Sequence, residues 1–142
     1  MDICNIENDK KIYAITAAQL LKCLQNNDST LVYLWSPNCS SKGCVLLDAA
    51  QNYCDRNNYV LYVITEYYDL DKTEPQNNGR LSLFAVNQNY YKTDYCNKYC
   101  RLFIRELTEK STVNEENDYS RYYVFHRDTF VGKKININTH HF

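Results

Sequence analysis

A chain of 142 residues, 44% of them hydrophobic and with a formal net charge of −1, has the size of one domain with its own core. The near-zero charge excludes a bulk electrostatic case for nucleic acid or an anionic membrane surface, and no apolar run approaches the roughly 18 residues a membrane span requires. Three glycines and two prolines are too few for a disordered chain or a turn-dense β-sandwich. Met1-Asp2-Ile3-Cys4 opens directly into polar residues and shows no signal peptide. This leaves either a cytoplasmic protein or one whose targeting segment has been removed.

Lys10–Ile15 is a short strand candidate, and Thr16-Ala17-Ala18-Gln19 fits a capping box. Ala17, Leu20, Leu21 and Leu24 then share one helical face, and Asn26-Asn27-Asp28 ends the helix. Thr30–Trp35 is a continuous apolar run of the kind found in a central strand covered on both faces. Helical signals resume at Ser40 or Ser41, with Val45, Leu46, Ala49, Ala50 and Tyr53 as the buried stripe and Asp55–Asn58 as the close. Tyr59–Ile64 is a second buried strand, so the three elements predict a parallel β-α-β pair with a right-handed crossover.

Residues 69–93 read as an insertion, polar and Pro75-containing at first, with Leu81–Val86 open to a short strand or a packed loop. Asp94–Leu107 is a helix with Thr93 or Asp94 as N-cap and Tyr95, Tyr99, Leu102, Phe103 and Leu107 near one face. Arg121–Phe125 and Phe130–Ile135 form a hairpin through His126-Arg127-Asp128-Thr129, and Asn136–Phe142 is a loose tail. The expected order is β-α-β-α-β-(insertion)-α-β-β in a single domain, with its core at about 10–135.

Seven cysteines occur, at positions 4, 23, 39, 44, 54, 96 and 100. An odd count leaves at least one thiol unpaired in the monomer. The spacings match neither a small disulfide scaffold nor a zinc pattern, and the three histidines lie far from the cysteines in sequence. Cys39 has the most distinctive place, after the strand ending in Trp35 and before the predicted helix. A helix N-terminus and nearby Lys42 both favour its thiolate. Cys44 and Cys54 read as core residues of that helix. Cys96 and Cys100 share a helical face, where core packing competes with half a metal site. The pairs Tyr67-Tyr68, Tyr90-Tyr91 and Tyr122-Tyr123 are open to a peptide-binding surface or to ordinary sheet and loop packing. His126 is expected to be solvated in the hairpin turn.

The element order, with Leu34-Trp35-Ser36-Pro37-Asn38-Cys39 closing the second strand, resembles the thioredoxin-like superfamily and, within it, the thiol–disulfide oxidoreductases of the bacterial cell envelope. As topology the resemblance spans about residues 10–135; as a motif it spans Thr30–Cys44. It implies an α/β fold with a central mixed sheet flanked by helices, an insertion after the third strand and a cell-envelope setting. It also implies a protein thiol or disulfide as partner, without nucleic acid, membrane insertion, metal or cofactor. Cys39 takes the place of the attacking thiolate, with Lys42 as its stabiliser; Trp35, Pro37, Asn38, Tyr119 and Ser120 take the places that bind a partner. The chain departs from the family in four respects: Asn38 replaces an aromatic residue, Lys42 stands where the resolving cysteine belongs, no proline precedes the Arg121 strand, and the final helix is missing.

Cys44 is the candidate replacement for the resolving cysteine. In a regular helix, residues five apart have Cα atoms about 8 Å apart and point about 140° apart. A disulfide tolerates about 7 Å, so the pair needs a helix that starts late, at Lys42 or Gly43. The expected functions are therefore atypical thiol–disulfide exchange at Cys39, resolved by Cys44 or an external thiol, or an inactive domain of the same fold that binds a protein partner.

Overall fold

The computed structural model describes residue 4 and residues 12–37, 45–67, 82–108 and 120–137. Its elements are β1 (Tyr13–Ile15), α1 (Ala17–Leu24), β2 (Thr30–Trp35), α2 (Leu47–Asn57), β3 (Val60–Thr65), β4 (Ser82–Val86), α3 (Gln88–Tyr91), α4 (Cys96–Leu107), β5 (Tyr122–His126) and β6 (Thr129–Lys134). All six strands join one mixed sheet in the order β1-β4-β3-β2-β5-β6. The first four run parallel, and β5 and β6 complete the sheet as an antiparallel hairpin. The expected α/β class, with a mixed sheet flanked by helices, is thus present.

Strand β2 is buried along its whole length because alternate side chains enter two different cores. Val32 and Leu34 pack with Ile64, Phe84, Val86, Tyr123 and Phe125 under α1 and α4. Leu31, Tyr33 and Trp35 pack with Leu61, Val63, Leu83 and Tyr122 under Leu47, Ala50 and Cys54 of α2. The crossovers explain this division. From β1 to β2 the chain steps across the sheet one way, and from β2 to β3 it steps back. Right-handed connections of opposite step place their helices on opposite faces.

Helix α1 begins as its sequence requires. The Thr16 hydroxyl accepts from the Gln19 N–H at 3.3 Å, and Gln19 Oε1 accepts from the Thr16 N–H at 2.9 Å. A disulfide joins Cys4 to Cys23 of α1, a pairing that the cysteine spacing did not reveal. Its sequence separation of 19 corresponds to about 3 kcal/mol on the chain-entropy model.

Several expected boundaries move. Helix α2 starts at Leu47, not at Ser40 or Ser41, because Tyr33 captures Val45. The Tyr33 hydroxyl accepts from the Val45 N–H at 3.0 Å and donates to the Val45 carbonyl at 3.1 Å, so Val45 is bound to β2 in place of a helical turn. The first helical bond found here runs from the Ala50 N–H to the Leu46 carbonyl. Helix α4 takes Tyr95 as N-cap in place of Thr93 or Asp94; the Thr93 hydroxyl instead accepts from the Tyr95 N–H. Of the two readings of Leu81–Val86, the strand is the one found. β4 lies inside the sheet between β1 and β3, so this part of 69–93 belongs to the core and is no excursion from it. The tail is anchored at Ile137, which is buried in the α2 core.

Candidate functional site

The carboxyl ends of β1, β4, β3 and β2 lie along one edge of the sheet, because these strands are parallel. In open α/β sheets this is the edge at which ligands bind. Ser36 and Pro37 follow β2 there, Glu66 and Tyr67 follow β3, and Arg121 brings the chain into β5 from the same side.

At this edge Arg121 and Glu66 form a half-buried ion pair, Nη1 to Oε1 at 2.7 Å, with side chains 23% and 18% exposed. The same Nη1 donates to the Leu34 carbonyl at 3.2 Å. The Arg121 carbonyl accepts from the Leu34 N–H, and the Glu66 N–H donates to the Trp35 carbonyl, both at 2.8 Å. Arg121 and Glu66 are therefore clamped across the last residues of β2. Beneath them Tyr33 and Tyr122 stack with ring centroids 4.5 Å apart and share a hydroxyl contact. Burial raises both phenols above their ordinary range, so both are neutral at physiological pH.

Helix α4 closes the other side of this edge. The Glu66 carbonyl accepts from the Tyr99 hydroxyl and from Cys100 Sγ, the latter at 3.8 Å. Burial pushes the Tyr99 phenol up to about 12 and raises the Cys100 thiol further above its ordinary value. Cys96 sits one turn before Cys100 and is half-buried against the same core.

The residues expected from the sequence divide into two groups. Asn38, Cys39, Lys42, Cys44 and Tyr119 lie outside the described residues. Trp35, Pro37 and Ser120 lie at the carboxyl edge. Trp35 is 3% exposed and packs in the α2 core, so its side chain anchors the end of β2 and offers no surface to a partner. The Ser120 carbonyl accepts from the Tyr123 hydroxyl at 3.0 Å. Helix α2 begins at Leu47, so the partial positive charge of its start belongs to the Leu46–Asp48 turn, eight residues beyond Cys39 in sequence.

Other expected surface groups are engaged. Tyr122 and Tyr123 are buried, which removes them from any peptide-binding face. The Tyr91 hydroxyl accepts from the Ala17 N–H at 3.1 Å and donates to Glu106 at 3.1 Å. His126 is exposed at the end of β5, yet its Nδ1 lies 2.8 Å from the Asp28 carbonyl and ties the hairpin to the α1–β2 turn. Cys54 is a core residue as expected, and burial pushes its thiol up to about 12.

Sequence reasoning passed over Arg121 and Glu66. The usable signal was a carboxylate directly after the apolar run of β3, at the ligand-binding end of a predicted parallel strand. Among the described residues no three His, Cys, Asp or Glu side chains converge as metal ligands, and no helix is long and apolar enough to cross a membrane. No family model matches the chain, and neither a curated protein nor a solved structure does.

Proposed function

We propose that this chain is a thioredoxin-like domain that carries out atypical thiol–disulfide exchange through Cys39. The observation that supports this reading is the setting of Trp35-Ser36-Pro37, which ends a central strand flanked by parallel β3 and antiparallel β5 at the carboxyl edge of four parallel strands, two residues before Cys39 in sequence. In the proposed reaction the Cys39 thiolate attacks a partner disulfide. A mixed disulfide forms and one partner thiolate leaves. Cys44 or an external thiol then attacks the Cys39 sulfur and releases the second partner thiol, so the partner disulfide is reduced by two electrons. Lys42 is the positive group nearest in sequence to stabilise the thiolate. An envelope setting and a protein thiol or disulfide as partner belong to the same reading.

A second reading, a partner-binding domain without thiol chemistry, is supported by Lys42 standing where the resolving cysteine belongs and by the lack of a proline before the Arg121 strand. The pH dependence of Cys39 alkylation separates the two, measured by peptide mass spectrometry in the chain with its Cys4–Cys23 disulfide intact. Exchange chemistry predicts half-maximal reaction well below the ordinary thiol value of about 8.5. A midpoint at or above that value sinks the exchange reading and leaves the binding one.

A further inference from the structure

Cys96 and Cys100 are free thiols at the first and fifth residues of α4, one turn apart. They differ in access. Cys96 is half-buried beside Tyr95, which is 70% exposed, whereas Cys100 is 6% exposed within the α1–α4 core. Each thiol therefore has a different part to play in a shared site: one admits a ligand, and the other holds it out of water.

Distance decides what such a pair accommodates. Residues at i and i+4 of a helix have Cβ atoms about 5–6 Å apart. A disulfide needs about 3.5–4.5 Å, so it would require the first turn of α4 to unwind. Two thiolate–metal bonds of about 2.3 Å set in line separate the sulfurs by about 4.6 Å, which the regular helix spans without moving its backbone. The absence of a converging third ligand among the described residues excludes a tetrahedral zinc centre built from them. A soft ion content with two thiolates is what the spacing and the ligand set allow.

We propose that Cys96 and Cys100 form a two-coordinate thiolate clamp for a soft monovalent cation of the copper(I) class. Binding converts two thiols and one cation into a bis-thiolate complex of net charge −1, with two protons released to solvent. Burial, and after it the Glu66 carboxylate, oppose ionisation of Cys100 more than the Arg121 guanidinium favours it, so the metal–thiolate bonds themselves must drive the deprotonation. Cys100 gives up its weak bond to the Glu66 carbonyl, but the Tyr99 hydroxyl continues to donate to that oxygen, so no buried acceptor is stranded. The proposed clamp uses neither Cys39 nor Cys44. It is also separate from Cys54, which is fully buried under α2 on the opposite face of the sheet.

The test uses silver(I), which binds as copper(I) does and requires no reductant that would open the Cys4–Cys23 disulfide. The full chain carrying Cys39→Ser and Cys44→Ser is titrated with silver nitrate, with stoichiometry read by native mass spectrometry and proton release by pH-stat. The expected result is one ion per chain and two protons per ion. Adding Cys96→Ser, whose half-buried position spares the core, is expected to lower affinity by about tenfold or more with an unchanged far-ultraviolet circular dichroism spectrum. Cys100→Ser is expected to do the same. Undiminished binding in the folded Cys96→Ser protein, release of a single proton, or no ion bound to the Cys39→Ser/Cys44→Ser chain overturns the proposal.

Discussion

Thr30 carries a fully buried hydroxyl with no hydrogen-bond partner among the described residues. It lies at the start of β2, paired with Val60 on one side and Phe125 on the other, in a position where every other β2 side chain is apolar or aromatic. An unpaired buried polar group costs about 1–3 kcal/mol, and valine fills nearly the same shape without that cost. Thr30→Val is therefore expected to raise unfolding free energy by about 1 kcal/mol, seen as a higher urea midpoint at unchanged m-value. A lowered midpoint counts against an unpartnered hydroxyl. At this scale the sequence was informative about burial and less so about pairing. Cys54 and Cys100 read as packing residues and are buried, but the Cys4–Cys23 disulfide left no trace in the spacing, because disulfide partners are set by the fold and not by separation along the chain.

Helix starts show how much of an element is local. α1 was legible to its first residue because both halves of its capping box lie within four residues of one another. α2 was not, because its start is set by a tyrosine on another element: Tyr33 holds both polar groups of Val45. α3 contributes in the same manner, since its Tyr91 hydroxyl accepts the Ala17 N–H of α1 and donates to Glu106 of α4. This single side chain supplies an acceptor for one of the orphan donors at the head of α1. Tyr91→Phe is expected to cost about 1–2 kcal/mol in urea unfolding, because the Ala17 N–H and the Glu106 carboxylate each lose a partner. It is also expected to speed amide exchange in the first turn of α1. Exchange there at the parent rate argues that the hydroxyl does not serve as that cap.

At the scale of the molecule, the two cores bury groups that are stable only while protonated. Burial raises Cys54, Tyr33, Tyr91 and Tyr122, with Cys54 pushed up to about 12. For a group whose folded pKa exceeds its unfolded one, the stabilisation is complete below the unfolded value and is lost as pH climbs to the folded one. Stability is accordingly expected to be flat near neutrality, to decline from about pH 8.5 as unfolded thiols ionise, and to fall more steeply from about pH 10 as unfolded tyrosines follow. Cys54 alone contributes about 1.4 kcal/mol per pH unit within that window. Urea unfolding at pH 8, 9 and 10 measures the decline, and Cys54→Ala is expected to make the first part shallower. Constant stability to pH 10 contradicts it.

What the sequence by itself determined about this protein is the part carried by short-range pattern. This comprises the α/β class, the fully buried β2 from Thr30 to Trp35, the capping box of α1, the parallel β2–β3 pair and the closing hairpin, whose strands fall within one residue of expectation. Only the tertiary structure decided that β4 enters the sheet between β1 and β3. Only it showed Val45 drawn out of α2, and Arg121 and Glu66 meeting over the end of β2. The physical reason is the same in each case. Periodicity and caps are satisfied by neighbours a few residues away, whereas the place of a strand, the start of α2 and an ion pair linking positions 55 residues apart depend on surfaces that exist only once the sheet has formed.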